Sequence, residues 1–312
     1  MIWPREAWFE PVERFREKLG TMGEGVTVGI WDDGICQVRD TGRKDEHGQP
    51  VFEGFPDYFG ARMTGKSYVD ADPKRYDAPI GATHGSEIAR IIGAEKDQWG
   101  IAPRCELVMI KGALAKDRFE YSALVADAPV YGRLDLINIS YAFDDASVQE
   151  IAKSTIVQFQ KSLNGDKLIV AGVGNFTQYA GLKRTYPSCG KSVLGVNATL
   201  GWSNQLFEGS TKSKRTDLCA PGANLQNHYS TERLYGTSFA SAIVSGLCCL
   251  VMAHRRQRGL PIDPATMHTL MRKACPRTEH DDLLGRGVID LARLVELASE
   301  EIVPEPEEML DP

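Results

Sequence analysis

The sequence predicts an α/β protein with a mainly parallel central sheet that helices flank in three layers. Short, almost wholly apolar runs rich in β-branched residues recur along the chain, which is typical of strands covered on both faces. Segments with helical periodicity lie between these runs, an alternation that favours a parallel sheet. The 312 residues, 42% hydrophobic and 25% charged, are enough to bury a large core. Because there is no internal repeat and no low-complexity linker, we expect one domain.

The predicted strands and helices alternate along most of the chain. The apolar runs that predict strands cover residues 26–31, 106–110, 134–141, 167–173 and 192–196. The helical patterns cover about residues 84–95, 121–130, 146–163, 237–256 and 263–275. The pattern that starts at Thr237 is apolar nearly all round, so we expect a buried helix there.

The two ends and one internal stretch differ from the rest of the chain. Residues 1–24 form an N-terminal extension with one amphipathic pattern, which predicts a short helix packed on the outside of the domain at residues 25–299. Residues 300–312 are rich in glutamate and proline and predict a disordered acidic tail. Residues 36–79, rich in Gly, Asp, Lys and Pro, predict a long surface insertion.

Charge and cysteine usage argue against some partners and favour one compartment. The chain has 36 Lys and Arg against 42 Asp and Glu, a net charge of −6, which argues against a nucleic-acid partner. No run approaches about 18 apolar residues, so we expect no membrane span. The N-terminus lacks the basic and apolar regions of a secretory signal. The seven scattered cysteines, without a C-x-x-C pair, indicate reduced thiols and a cytoplasmic protein.

Three short segments combine residue types that carry chemistry. Asp32, followed by Asp33 and Gly34, ends the first predicted strand, where reactive groups of parallel sheets collect. His84 lies at the first turn of a predicted helix, beside small residues. Ser238 begins the buried helix, where the backbone N–H and the helix dipole favour an oxyanion. Each segment alone also fits a turn, a structural histidine or an N-cap serine.

Together, in the order Asp, His, Ser, these segments resemble the subtilisin-like serine peptidases. Further matches follow in the family's order at residues 136–140, 171–175, 186–189, 217–222 and 285–290. The resemblance covers about residues 25–295 and implies the three-layer subtilisin-like fold, with a cis bond between Tyr186 and Pro187.

The resemblance implies a serine endopeptidase and assigns a role to each site residue. Ser238 is implied as the nucleophile and His84 as the base that takes its proton and returns it to the leaving amine. Asp32 is implied to hold the imidazole in the productive tautomer. The Asn175 side chain and the Ser238 backbone N–H are implied as the oxyanion donors.

The resemblance also implies a polypeptide substrate that binds as an extended strand. We expect its backbone partners at Ser140, Tyr141 and Ala142 on one side and at Gly172, Val173 and Gly174 on the other. The expected role is selective processing of proteins or peptide precursors inside the cell.

Two other functions remain open at this point. One is a catalytically silent module that binds peptides without cutting them, although a groove alone has no need of all four catalytic residues. The other is a nucleotide-binding protein, suggested by residues 172–175, but neither G-x-G-x-x-G nor a Walker lysine is present.

Several positions depart from the family's usual pattern. Ala242 stands where proline is usual, and Glu87 stands in the histidine helix, where it either faces solvent or makes His84 more basic. Asp33 follows the implied triad carboxylate directly, so we expect Asp33 to be exposed or hydrogen-bonded.

We expect no required cofactor. Calcium is common in the family, but its ligands are not recognisable here: Asp70, Asp72 and Asp77 lack the regular spacing of a calcium loop and fit solvated charge better.

The family usually carries a long pro-domain, and only about 24 residues precede the first predicted strand. One hypothesis is that residues 1–20 lie in or near the cleft and restrain activity.

Overall fold

The structure is a computed structural model of the chain. It describes residues 7–36, 38–54, 58–78, 82–95, 99–112, 124, 126–144, 167–175, 185–190, 193–213, 215–228 and 232–305.

The described helices and strands alternate as the sequence predicts. The helices are α1 (Phe9–Leu19), α2 (His84–Gly93), α3 (Ala128–Tyr131), α4 (Thr237–Gln257), α5 (Pro264–Lys273) and α6 (Leu291–Ala298). The strands of the central sheet are β1 (Thr27–Asp32), β4 (Met63–Ser67), β5 (Glu106–Lys111), β6 (Leu136–Ile139), β8 (Leu168–Gly172), β10 (Val193–Thr199) and β11 (Leu218–Pro221). Short antiparallel pairs are β2 (Val38–Lys44) with β3 (Pro50–Gly54), β7 (Phe143–Asp144) with β9 (Thr185–Tyr186), and β12 (Ala223–Gln226) with β13 (Arg233–Tyr235).

The central sheet confirms the predicted fold class. Its strands run in the order β11-β10-β8-β6-β1-β5-β4, and each of these neighbouring pairs is parallel. The five predicted apolar runs coincide with buried strands of this sheet. Because all these strands point the same way, their carboxyl ends meet at one edge, and Asp32 at the end of β1 lies in the middle of that edge.

Helix α4 lies in the core of the domain. It contacts β1, β6, β8, β10 and β11 on one side and α2, α5 and α6 elsewhere. Among the described helices, α4 is long and apolar enough to cross a membrane, but its apolar stretch is wholly buried in the protein. Packing against the sheet therefore accounts for its composition.

Some elements were not predicted. The stretch at residues 36–79 is not only a surface insertion, because it contains the edge strand β4 and the hairpin of β2 and β3. Strand β4 is mostly half-buried, so it lacks the continuous apolar run of a central strand. Helix α6 and strand β11 were also missed. The predicted helix at 146–163 lies outside the described residues. Of the predicted helix at 121–130, residues 124 and 126–130 are described, and α3 begins among them.

The chain ends pack more tightly than predicted. Phe9, Val12, Phe15 and Leu19 of α1 belong to the main hydrophobic core. The predicted disorder is wrong for residues 300–305, because Arg255 Nη1 donates to the Glu300 carbonyl (2.9 Å) and the Glu305 N–H donates to Thr269 Oγ1 (2.9 Å). Residues 306–312 lie outside the described part of the chain.

The hypothesis that residues 1–20 restrain the cleft stays a prediction, because the described contacts place only the end of α1 away from the cleft, whereas the Trp8 carbonyl accepts from Trp202 Nε1 in the loop after β10 (2.8 Å). The Nδ1–H of His254 donates to the carbonyl of Leu19 at the end of α1 (2.7 Å). His254 lies 16 residues beyond Ser238 on α4 (254 − 238), which at 1.5 Å per residue is about 24 Å along the helix. Helix α1 therefore ends near the far end of α4. Residues 1–6 are outside the described residues.

Candidate active site

Asp32 and His84 meet where β1 ends and α2 begins. Asp32 is fully buried, and His84, the first residue of α2, has a side chain that is 35% exposed. His84 Nδ1 lies 2.8 Å from Asp32 Oδ1 and 3.1 Å from Oδ2. A carboxylate can only accept, so Nδ1 carries the proton and Nε2 is the nitrogen that can act as a base.

A glycine is required beside His84 because two backbones approach closely there. A Cβ on Gly85 would lie 2.6 Å from the carbonyl oxygen of Gly34 and 2.8 Å from Oδ1 of Asp33. Any side chain at position 85 would push α2 away from the end of β1. The small residue that the motif supplies therefore sets the distance between Asp32 and His84.

Asp33 is buried and hydrogen-bonded, which is the second of the two predicted outcomes. The backbone N–H of Gly85 donates to Asp33 Oδ1 at 2.8 Å. Burial and the neighbouring Asp32 carboxylate raise the pKa of Asp33 to about 7, against the opposing effects of the Gly85 N–H and of His84.

Glu87 does not face solvent. Its buried carboxylate accepts hydrogen bonds from Arg90 Nε and from the backbone N–H of His228. Arg90 in turn donates to the carbonyl of Gln226 at the end of β12 (3.0 Å). The pair therefore ties α2 to the β12 strand.

The charge around His84 favours its protonated form. Burial alone would lower the pKa of His84, but the charge and hydrogen bond of Asp32, followed by the charges of Asp33 and Glu87, raise it to about 9. The imidazole packs between two aromatic rings, with centroid distances of 5.6 Å to Phe239 and 6.3 Å to Tyr141.

Ser238 lies in the first turn of α4 and is 7% exposed. Its Oγ donates to the carbonyl of Ser140 at 3.1 Å. The next residue, Phe239, contacts the His84 ring, so the structure brings Ser238 to the same place as the Asp32–His84 pair.

A network of small polar side chains joins the end of β6 to α4. Asn138 Nδ2 donates to Ser140 Oγ (2.8 Å), and Ser140 Oγ lies 3.4 Å from Ser241 Oγ. Ser245 Oγ donates to Asn138 Oδ1 (3.0 Å). Sequence reasoning missed this network, although its signal was present: serines at 238, 241 and 245 recur at helical spacing and so share one face of α4.

Asn175 follows β8 and lies beside the start of α4. Its Oδ1 accepts the Thr237 N–H at 3.0 Å. Gly236 adopts a φ of +147°, and a Cβ there would lie 2.9 Å from Asn175 Nδ2. The bare glycine thus leaves room for the asparagine amide next to Ser238.

The expected substrate-binding segments are only partly available to a peptide. Ser140, Tyr141 and Ala142 follow the end of β6, and the Tyr141 hydroxyl lies 3.5 Å from Asp32 Oδ1. Burial and the nearby carboxylates raise the pKa of Tyr141. Residues 172–174 lie against the start of α4, where a Cβ on Gly172 would lie 2.8 Å from Thr237 Oγ1.

Several backbone groups of that second segment already have partners within the protein. The Gly174 N–H donates to Thr237 Oγ1 (3.0 Å) and the Gly174 carbonyl accepts from Thr211 (2.9 Å). The Val173 N–H donates to Val196 (3.0 Å). These three groups hold the segment to its neighbours, and the role expected of Gly172, Val173 and Gly174 toward a substrate stays a prediction.

Two of the three acidic residues considered for calcium are paired with basic side chains. Asp70 Oδ2 lies 2.8 Å from Lys111 Nζ, and Asp77 Oδ2 lies 3.5 Å from Arg75 Nη2. In the described part of the chain, no group of three or more His, Cys, Asp or Glu could hold a metal ion. The Tyr186–Pro187 peptide bond is cis, as the resemblance implies.

Comparison with known proteins identifies the class to which this fold and site belong. The profile of the subtilase family, Peptidase_S8, matches residues 23–288. The chain therefore belongs to the subtilase family, the class of subtilisin-like proteins.

Individual relatives agree with this class. The minor extracellular protease Epr of Bacillus subtilis (strain 168) is 27% identical over 275 residues, which are 86% of this chain and 37% of Epr. The chain thus spans little more than a third of the length of that relative. A lanthipeptide protease has a similar fold (TM-score 0.68, 19% identity, 93% of each chain). So does MycP1 with its N-terminal propeptide removed (TM-score 0.71, 22% identity, 97% of this chain and all of MycP1).

Proposed function

We propose that this chain is an endopeptidase in which Asp32, His84 and Ser238 act as the catalytic triad and Asn175 as an oxyanion donor. The observation that carries the proposal is the 2.8 Å contact between His84 Nδ1 and the fully buried Asp32 carboxylate, next to the helix turn that holds Ser238. Asp32 fixes the tautomer that leaves Nε2 as the base.

The first chemical step needs the Ser238 hydroxyl to turn. Its hydrogen bond goes to the Ser140 carbonyl, and it must instead point its proton at His84 Nε2. Ser238 Oγ then bonds to the scissile carbonyl carbon while the imidazole takes the proton. The imidazolium returns that proton to the leaving amine as the C–N bond breaks, and water repeats the sequence to release the acyl group.

The oxyanion that forms on the carbonyl has two donors. Asn175 is held by its Oδ1, which accepts the Thr237 N–H, and this leaves its Nδ2–H groups to donate. The second donor is the Ser238 N–H at the positive end of the 21-residue helix α4.

The substrate is a polypeptide that lies along the residues after β6. Ser140–Ala142 are anchored to α4 through Ser140, so they form a fixed edge next to Ser238. An extended peptide pairs with such an edge through main-chain hydrogen bonds, and pockets select its side chains. Residues 172–174 act as a wall of that site.

We further propose that the chain processes selected protein or peptide precursors in the cytoplasm. Support comes from its cysteines: the seven are scattered without a C-x-x-C pair and six of them are buried, a usage typical of a reducing compartment. One solved structure with this fold is named a lanthipeptide protease. Epr is named extracellular, so fractionation of the native host, with detection of the chain in the cytosolic fraction, tests this part separately.

A fluorophosphonate probe tests the catalytic proposal directly. The Oγ of an activated serine bonds to phosphorus and fluoride leaves, so one probe is bound per active chain. We expect stoichiometric labelling of the wild-type protein and none of the Ser238→Ala variant. Ser203→Ala, a change at an exposed loop serine, is the control that should still label.

The same experiment separates the enzyme from a silent peptide-binding module, for which the comparisons give no support. A folded wild-type protein that does not label would contradict the peptidase proposal. Labelling that persists in Ser238→Ala would contradict the choice of nucleophile. Peptide-library digestion then gives the side-chain preference of the cleft.

A further inference from the structure

A second buried carboxylate, Asp33, lies beside the proposed triad without belonging to it. Asp33 is 8% exposed, and its Oδ1 accepts the N–H of Gly85 at 2.8 Å. Gly85 follows His84 directly in the chain. The carboxylate therefore holds the backbone of the helix turn that carries the imidazole.

The start of α2 depends on this contact. A helix leaves its first backbone N–H groups without intrahelical acceptors, and a side chain usually supplies one. Here the N-cap residue, Thr83, makes no side-chain cap hydrogen bond. The acceptor comes instead from Asp33, 52 residues earlier in the chain, so β1 caps α2.

The charges around Asp33 make its ionisation matter to His84. Asp32 precedes it at the end of β1, and His84 faces it from α2, where the Arg90-paired Glu87 also acts on His84. The Tyr141 hydroxyl faces the two carboxylates from the segment after β6. Burial and Asp32 raise the pKa of Asp33 to about 7, so its charge changes near neutral pH. When ionised, Asp33 adds to the field that favours a protonated imidazole.

We propose that Asp33 is a positioning residue that caps α2 to hold His84 against Asp32 and whose negative charge stabilises the imidazolium. The inference rests on the proposed function of His84 as the base. Asp33 contacts the backbone N–H of Gly85 and in this role acts through His84.

The test measures the pKa of the His84 imidazole by NMR titration in the full-length Ser238→Ala protein, with and without a change at Asp33. Asp33→Asn keeps an oxygen acceptor for Gly85 and removes the charge. We expect the His84 pKa to fall by about one unit, the size of effect that a neighbouring charge has in a partly solvated site. Asp33→Ser, also a neutral acceptor, should shift it in the same direction, which keeps the test open if the asparagine variant folds poorly.

The capping role has its own readout. Asp33→Ala removes both the charge and the acceptor. We expect the downfield Nδ1–H resonance of His84 to persist in Asp33→Asn and to be lost to exchange in Asp33→Ala. In the active enzyme, kcat of Asp33→Ala should fall by about tenfold to a hundredfold, while Asp33→Asn shifts the acid limb of kcat/KM to lower pH.

Asp290 provides the matched control. It also caps a helix, as the N-cap residue of α6, because its carboxylate accepts the N–H groups of Ala292 and Arg293. Asp290→Asn and Asp290→Ala should leave the His84 titration unchanged.

An unchanged titration of His84 in both the Asn and Ser variants of Asp33 would overturn the inference. Equal shifts in the Asp290 variants would do the same. Because the titration needs no turnover, it reports on Asp33 even if Ser238 proves not to be the nucleophile, so the two proposals fail separately.

Discussion

The two ends of helix α4 show how one buried element serves two purposes. At its start, Gly236 supplies no capping side chain, and the first turn presents Ser238 next to Asn175 and His84. At its other end, the fully buried Arg255 donates to the carbonyls of Pro261, Ala298 and Glu300. The first end holds groups that we propose act on a substrate, whereas the second holds the chain together.

Two histidines at these ends show what decides a pKa in this protein. His84 and His254 both lose solvent, which lowers the pKa of each. At His84 the carboxylates outweigh this and raise the pKa to about 9, whereas at His254 the neighbouring arginines add to it and the pKa is lowered. Burial is common to both sites, so the neighbouring charges determine the difference.

The largest effect is expected from a change at Asp32, the carboxylate that makes the surroundings of His84 differ from those of His254. Asp32→Asn keeps the shape of the side chain but favours the wrong imidazole tautomer, so kcat should fall by about 10,000-fold. Thermal unfolding should show that the variant is folded. The control is Asp45→Asn in an exposed turn, which should leave kcat unchanged. A loss of less than about tenfold in Asp32→Asn would contradict the proposed triad.

The next largest effect concerns Asn175. Asn175→Ala removes one oxyanion donor and should lower kcat by about a hundred- to a thousandfold with little change in KM, a range established in a subtilisin. Asn204→Ala, at an exposed loop position, is the matched control. If Asn175→Ala raised KM and left kcat intact, the side chain would serve ground-state binding instead.

A change at the far end of α4 should lower the stability of the protein and leave its activity intact. Arg255→Met leaves the carbonyl oxygens of Pro261, Ala298 and Glu300 without this donor, so the free energy of unfolding should fall by about 3 kcal/mol. Denaturant titration measures this change. The folded fraction should keep its kcat, because Arg255 is 17 residues beyond Ser238 (255 − 238).

Arg293→Met controls for the loss of a surface arginine, since its ion pair with Glu296 is exposed. It should change stability by less than about 0.5 kcal/mol. An equal loss of stability in both arginine variants would contradict the anchoring role of Arg255.

The pH dependence gives the smallest and finest test. His84 must be neutral to accept the serine proton, and its pKa is raised to about 9. We therefore expect kcat/KM to rise about tenfold per pH unit below pH 9 and to level off above it. A plateau that begins below pH 7 would show that the field of Asp32 is weaker than the geometry indicates.

His84 also contributes to the stability of the folded protein, and this contribution depends on pH. Its folded pKa of about 9 lies above its ordinary value of 6.5, so the stabilisation is fully present below pH 6.5 and is lost as the pH rises towards 9. The free energies of unfolding of wild type and Asp32→Asn, measured by denaturant titration from pH 6.5 to 9, should become more alike as the pH approaches 9.

Sequence reasoning recovered what depends on local pattern. Apolar runs predicted the buried strands, and the all-apolar pattern after Thr237 predicted the core helix. It failed where burial is partial, as in β4, and where contacts are long-range, as at residues 300–305, which Arg255 and Thr269 hold. A hydrogen bond between residues far apart in the chain leaves no trace in the local sequence pattern.

The site shows the same division. The sequence by itself determined the fold class, the family motifs and the residue types at positions 32, 84, 175 and 238, because spacing and side-chain chemistry are local properties. Only the tertiary structure decided that Asp33 caps the histidine helix, that Glu87 is buried on Arg90, and that Gly174 is already paired. Each of these depends on which distant donor or acceptor the packed sheet and helices bring within about 3 Å, a distance at which a hydrogen bond forms.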